Sequence, residues 1–424
     1  MSSGAASEPG GGWPAPLRAL AHRNYRLYFL GQLVSLTGTW MQSVAQSWLA
    51  YRLTGSAALL GIVAFVSQVP AFVLAPMGGV LADRADRRRV LIATQAASML
   101  LALVLAALTL GDRIRVAHIL VLAGLLGAVN GLDIPVRQSF VVDMVGREAL
   151  ANAIALNSSV FNGARVVGPA VAGLLVAAIG EGWCFFANGV SFLAVIAGLA
   201  AMRLPAFAPR PSAAGAWASL VEGLRYVGRT RPVRALLLLL GLVSLTGMPY
   251  AVLMPIFADR ILGGGARGLG LLMGATGLGA VLGALALAAR RGTRGLGRWA
   301  AISAAGFGLA LILFAVSRRF WLSATLLVPV GFFMMNQMAT SNTLLQSLVP
   351  DDFRGRVMAA YAMMFMGMAP LGALAAGAAA ERIGAPWTVA IGGVCCLAGA
   401  ALFAARISAL RADARRMLVE LELP

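Results

Sequence analysis

Three ionisable residues stand where the chain is otherwise apolar. Asp133 and Arg137 are four apart near the end of one apolar run, acid first, the order that favours an ion pair along a helix. Arg165 lies near the middle of the next run, with no other charge beside it. A charge inside a membrane-spanning helix is costly and is by default a functional hypothesis. Asp133 is either a carboxylate that takes and releases a proton or half of a structural clamp with Arg137. Arg165 needs an anion or water, and the candidates are Asp133 and an acidic substrate or co-ion. Upstream, Gln32, Ser35, Thr39, Gln42 and Gln46 follow one another at steps of three and four. That spacing puts five polar side chains on one face of a helix, a face that must meet protein or water rather than lipid. It is read as a cavity wall or as an interhelical hydrogen-bonding face. Asn130, and in the second half of the chain Asn336 and Gln337, are further candidates for the cavity. Met334, Met335, Met338, Met358, Met363, Met364, Met366 and Met368 crowd two late runs, as a pliable ligand surface or as ordinary packing.

Other chemistries find no support. The chain has no Lys, so a G-x-x-x-x-G-K-[ST] phosphate loop is ruled out. There is no Ser/His/Asp set and no metal cluster, and Cys184, Cys395 and Cys396 lie within apolar runs without metal-site spacing. No enzyme activity, cofactor or metal is expected. Any work must be driven by an ion gradient or by the substrate's own gradient.

The elements that hold these residues follow from hydropathy. Of 424 residues, 60% are hydrophobic and 12% charged, more apolar surface than a soluble domain of this length can bury. Twelve apolar spans are read, at about 27–51, 57–82, 90–111, 116–138, 150–179, 182–202, 234–258, 267–289, 299–317, 320–346, 356–380 and 386–405. An even number puts both termini on one side. Sorting the 34 arginines over the loops places 25 on that side, eight on the other and Arg165 in mid-span, so the positive-inside rule puts both termini in the cytoplasm. The net charge of +18 is therefore a topological signal and not a nucleic-acid one.

The most charged turn is Gly78-Gly79-Val80-Leu81-Ala82-Asp83-Arg84-Ala85-Asp86-Arg87-Arg88-Arg89, between spans 2 and 3. It resembles the signature loop of the major facilitator superfamily, G-x-L-a-D-r-x-G-r-r. Gly79, Leu81, Asp83, Arg84, Arg87 and Arg88 match, and Asp86 replaces the second glycine. In span 5, Gly163-x-x-x-x-Gly168-Pro169-x-x-x-Gly173 resembles the g-x-x-x-x-G-P-x-x-G-G signature of exporters in that superfamily, with Ala172 for one glycine. The chain is thus similar, over about 18–410, to bacterial exporters of the branch that includes macrolide-efflux and enterobactin-export proteins. The resemblance implies two six-helix bundles around a cavity lined by helices 1, 4, 7 and 10. It also implies that Asp83, Arg84 and Arg88 latch the charged loop to helix 11 when the outer gate is open, and that Gly163, Gly168, Pro169 and Gly173 form a bendable seam between the halves.

The residues themselves show the duplication. Leu33-Val-Ser-Leu-Thr-Gly38 recurs as Leu242-Val-Ser-Leu-Thr-Gly247, a shift of 209. At a shift of 204, Gly163, Gly168 and Gly173 meet Gly367, Gly372 and Gly377. Equivalent helices have the same orientation, so the repeats are parallel. Gln42 aligns with Ala251, which makes the second wall of the cavity apolar where the first is polar and suits amphipathic cargo.

The expected organisation is a disordered tail (1–16), a first bundle (17–203), a linker with an amphipathic surface helix (204–232), a second bundle (233–408) and a C-terminal tail (409–424). The fold expected is an all-α membrane protein of twelve transmembrane helices. The function expected is proton-coupled efflux of small amphipathic or hydrophobic molecules, of drug or siderophore class, by a monomer in the bacterial inner membrane. Its partners are the small-molecule substrate, protons and the lipid bilayer, with no nucleic acid. The alternatives are an importer of the same fold and a non-transporting membrane sensor.

Overall fold

A computed structural model describes residues 14–204, 216–290, 292 and 295–422. The expected tail before residue 14, the linker prolines Pro205, Pro209 and Pro211, and Arg291 and Arg294 lie outside them. The described residues are helical throughout, with no strand among them. After a short 3-10 helix (Ala15–Ala21) come α1 (Arg23–Thr54), α2 (Ala57–Arg84), α3 (Arg87–Leu110), α4 (Val116–Val145), α5 (Leu150–Ile179) and α6 (Glu181–Ala200). A linker helix (Ala216–Arg229) leads to α7 (Arg231–Ile261), α8 (Gly265–Ala288), α9 (Leu296–Val316) and α10 (Phe320–Leu348). Then come α11 (Asp352–Ile383), α12 (Ala385–Ala405) and a C-terminal helix (Ile407–Glu422).

Eleven of these helices are long and apolar enough to cross a membrane. The twelfth, α1, is 32 residues long, and its polar face alone separates it from the others. The turns are set by local chemistry. Asp86 starts α3 by accepting from the backbone N–H of Arg88 and Arg89, and Ser56 starts α2 by accepting from that of Leu59. Gly180 ends α5 and Gly384 ends α11 at φ 88° and 85°, conformations that exclude most side chains.

The two halves repeat each other contact for contact. In the first, α2 packs on α4, α1 on α5 and α6, and α3 on α6; in the second, α8 packs on α10, α7 on α11 and α12, and α9 on α12. Close approaches repeat as well. A Cβ on Gly168 would lie 2.9 Å from the Thr37 carbonyl oxygen, and its equivalent Gly372 abuts the Leu245 carbonyl. The chain therefore has the major facilitator architecture of twelve helices in two parallel six-helix repeats.

The equivalence fails in α7. Where α1 is α-helical throughout, α7 passes through a π-helical turn (Val243–Gly247) and a 3-10 turn (Met248–Ala251). At the shift of 209, Trp40 aligns with Pro249. The proline has no N–H to give to the preceding turn, and Pro255 removes a second donor six residues later.

The linker helix is strongly amphipathic, as its spacing predicts, and it docks on the start of α11. Tyr226 stacks on Phe353 with ring centroids 4.6 Å apart, and Arg356 reaches Glu222 at 3.3 Å.

Candidate functional site

The two halves meet along two seams. On one, α5 crosses α8 with Gly173 against Gly270; a Cβ on Gly270 would lie 2.6 Å from the Gly173 Cα and 2.6 Å from the Pro169 oxygen. On the other, α2 crosses α11, where a Cβ on Gly377 would lie 2.9 Å from the Gly61 Cα. These are the same crossing twice, since Gly61 and Gly270 are equivalent at one shift and Gly173 and Gly377 at the other. Both lie toward the face opposite the start of α1 and the end of α12, here called the far face.

Polar bonds close the far face. The Tyr51 hydroxyl of α1 donates to Asp259 of α7 at 2.8 Å, with the Arg260 guanidinium 5.7 Å from the Tyr51 ring centre. Glu381 at the end of α11 accepts from the Ser56 hydroxyl and the Ala58 N–H, both at 3.1 Å.

Between the seams is a cavity of about 430 Å³. Gln32, Ser35, Thr39, Gln42 and Gln46 all line it, as do Asn130, Asp133 and Arg137. Its walls divide by half. The second half contributes Ala251, Val252, Pro255, Leu269 and Met273, without a polar side chain among them. The amphipathic character predicted from the Gln42–Ala251 alignment is thus present in the cavity wall. Met273, and none of the eight methionines singled out in the sequence, faces the cavity.

The polar wall is organised around Asp133, which is 2% exposed. Its Oδ1 accepts from the Thr94 hydroxyl at 2.6 Å and the Gln95 amide at 2.9 Å, both on α3. Arg137 Nη2 stands 2.8 Å from Oδ2, close enough for an ion pair, but in a direction that makes no hydrogen bond. Arg137 Nη1 donates to Gln32 of α1 at 3.2 Å. The Asp133–Arg137 pair therefore ties α1, α3 and α4 together. Gln42 accepts from Asn188 of α6 at 2.7 Å, a second link across the same wall. The polar face of α1 is accordingly both cavity wall and interhelical bonding face.

Several expected site residues stand elsewhere. Asn336 and Gln337 are fully buried away from the cavity. Asn336 Oδ1 accepts from the Trp299 indole of α9 at 2.9 Å, and the Gln337 amide nitrogen is 3.4 Å from the Ser341 hydroxyl. The expected lining by helices 1, 4, 7 and 10 is corrected in the same way: α10 contributes nothing, because it packs directly behind α8, where Gly331 abuts the Thr276 carbonyl and Gly279 the Val328 carbonyl. Instead α2, α3, α6 and α8 join α1, α4 and α7. Gly168, Pro169 and Gly173 lie in close packing, but a Cβ on Gly163 or Gly79 would meet nothing within 4 Å. The tight approach at the end of α2 is made by Gly78, whose Cβ would lie 2.6 Å from the Gly131 oxygen.

In the charged turn, the side chains of Asp83 and Arg84 form no hydrogen bond or ion pair among the described residues. Arg88 is held within its own half by the carbonyls at the end of α6, Leu199 and Ala200. The buried member is Arg87, which donates to the Ala82 oxygen at 2.7 Å and the Ser139 oxygen at 3.2 Å and pairs with Asp143 at 2.7 Å. The sequence reading matched Arg87 to the signature but gave it no role; Asp143, a carboxylate at the end of α4, was the signal for one. Arg87→Gln is expected to lower stability by about 2 kcal/mol, since it removes charged hydrogen bonds from a buried group. Asp83→Asn is expected to leave stability unchanged and to lower transport. Thermal unfolding in detergent beside transport assays tests both; equal transport in correctly inserted Asp83→Asn removes the gating role.

Arg165 does not reach Asp133. Its guanidinium carbon lies 5.8 Å from the centre of the Trp40 ring, and Nη2 is 3.7 Å from the Met334 sulfur across the seam.

The model of the transmembrane secretion effector family matches residues 14–420. The staphyloferrin A transporter of Staphylococcus aureus is 26% identical over 87% of this chain and 92% of its own length. The multidrug efflux pump Tap of Mycolicibacterium fortuitum is 31% identical over 84% of this chain and 89% of its own. Among solved structures, the nucleoside transporter NupG superposes with a TM-score of 0.72 at 14% identity, covering 91% of this chain and 98% of that one. A cavity between duplicated six-helix halves, a family match over nearly the whole chain and relatives aligned along most of their length lead to one assignment: the chain belongs to the transmembrane secretion effector family of the major facilitator superfamily.

Proposed function

We propose that the protein is a secondary exporter of small amphipathic molecules, of drug or siderophore class, driven by proton entry in the bacterial inner membrane. The observation that carries this reading is the divided cavity. A polar wall built on a buried carboxylate faces an apolar wall, and the two belong to halves that can move against each other. Such a site matches a molecule with one polar and one greasy side. Membership of a secretion family and a relative named as an efflux pump support the outward direction, and a relative named as a siderophore transporter supports the cargo class.

With the termini in the cytoplasm, as the arginine distribution favours, the far face is periplasmic and the described state is closed to it. Asp83 and Arg84 are then unlatched, which agrees with a latch needed only when the outer gate opens. Transport follows from rocking of the two bundles about the cavity. Asp133 is the proposed proton site. It sits in the wall, it is the carboxylate nearest the cargo space, it accepts from two donors on α3, and through Arg137 it is linked to α1. Protonation would release Arg137 and loosen the tie between α1, α3 and α4, so that proton binding and helix movement are linked. The protein is proposed to work as a monomer, with bundles at 17–203 and 233–408 joined by the linker.

The test is expression in a host lacking its main efflux pumps, loaded with amphipathic dyes. Loss of dye that an uncoupler stops is expected. Accumulation of dye in place of loss would favour the importer reading.

A further inference from the structure

Arg165 is the one charged side chain at mid-depth whose counter-charge is missing among the described residues. Asp133 is the only carboxylate in the cavity wall, and it is committed to Arg137. A guanidinium carries five N–H donors and cannot shed its charge. Here the donors have one thioether sulfur, a weak acceptor, and an aromatic face. Holding such a group in hydrocarbon is expensive, and sequences retain one where an anion or water meets it.

Its position adds to this. Trp40, the ring beneath the guanidinium, lines the cavity, and Arg165 stands against that ring without itself being among the lining residues. The backbone oxygen of Arg165 lies in the α5–α8 seam, where a Cβ on Gly277 would be 3.0 Å from it, and the side chain reaches Met334 in the other half. With Asp133 and Arg137 cancelling, the ionisable groups of this region sum to one positive charge.

We infer that Arg165 is an anion-recognition residue and that the cargo carries a carboxylate or comparable anionic group beside its apolar portion. The planar fork matches a carboxylate in two parallel hydrogen bonds, and Trp40 and Phe161, whose rings meet edge to face at 5.6 Å, supply apolar surface next to it. This inference rests on the exporter reading only for the word cargo; the anion site itself is a statement about binding.

The test is calorimetric titration of the purified full-length protein with a matched set: 2-naphthoate, neutral 2-naphthamide and cationic 2-naphthylmethylammonium. The acid is expected to bind about tenfold more tightly than the amide. Arg165→Gln should remove that preference while keeping amide affinity, which also certifies the fold. Arg165→Lys should retain part of it, and Arg165→Glu should favour the ammonium. Competition by chloride or phosphate but not by naphthoate would identify an inorganic anion as the occupant and overturn the cargo assignment. Equal affinity for all three compounds, no measurable affinity for the acid, or an unchanged preference in Arg165→Gln would overturn the inference outright. Preferential binding without export of any compound would sink the exporter reading and leave this one standing; export of the amide without any preference for the acid would do the reverse.

Discussion

Asp133→Asn is expected to bring uncoupler-sensitive export below about a tenth of the wild-type rate while the protein still inserts. The expectation follows from what the carboxylate touches. Asn keeps the size and can still accept from Thr94 or Gln95, but it cannot take up and release a proton, and it leaves Arg137 without its counter-ion. Breaking a buried pair from one side costs about 3–5 kcal/mol, so a stability loss must be separated from a coupling loss. The double variant Asp133→Asn/Arg137→Gln does this. Removing both charges should recover much of the thermal stability and none of the coupled transport. Recovery of both would demote the pair to a structural clamp, the alternative that the sequence left open.

The second large effect concerns the seam. Gly270→Leu is expected to hold α5 and α8 apart and to favour the state open at the far face. The Gly173 Cα and the Pro169 oxygen stand within 3 Å of where the new Cβ must go, and both are backbone atoms that cannot rotate aside. Overpacking of this kind costs about 1–3 kcal/mol, enough to shift a closed-to-open ratio by about 5- to 150-fold. The readout is a cysteine placed at Gln46 in a background without Cys184, Cys395 and Cys396. A membrane-impermeant thiol reagent added from the far side should label it in Gly270→Leu and not otherwise. Gly163→Leu, where a Cβ meets open space, should leave labelling unchanged. Equal labelling in the two variants would remove the seam from the gating account.

The sequence was most informative where a period reports a face. The three-and-four spacing from Gln32 to Gln46 implied a shared polar surface, and all five residues line the cavity. The duplication was equally legible, because glycines at fixed shifts mark backbone approaches that any side chain would spoil. Four things were hidden. Asn336 and Gln337 are candidates for the cavity as polar residues in an apolar span, but residue type does not say which way they face; the Trp299 indole claims Asn336. Gly79 is the glycine that matches the signature, whereas Gly78 makes the close approach, since one residue turns a helix face by about 100°. In the run of three arginines, the buried one could be told from its neighbours only by the acceptors it meets, and Ser139 and Asp143 are more than fifty positions away in the chain. For Arg165 the sequence offered two partners, and the distance that decides between them is a tertiary fact.

The central claim is exchange of cargo against protons, and purified protein in liposomes tests it most directly. An amphipathic dye would be followed across the membrane of proteoliposomes under an imposed pH gradient, with no electrical potential and equal dye on both sides. The account predicts net dye movement opposite to the proton gradient, reversing when the gradient is reversed and absent in Asp133→Asn. Dye that stays evenly distributed while wild-type protein equilibrates it freely, or dye that moves in the same direction as the protons, would contradict it.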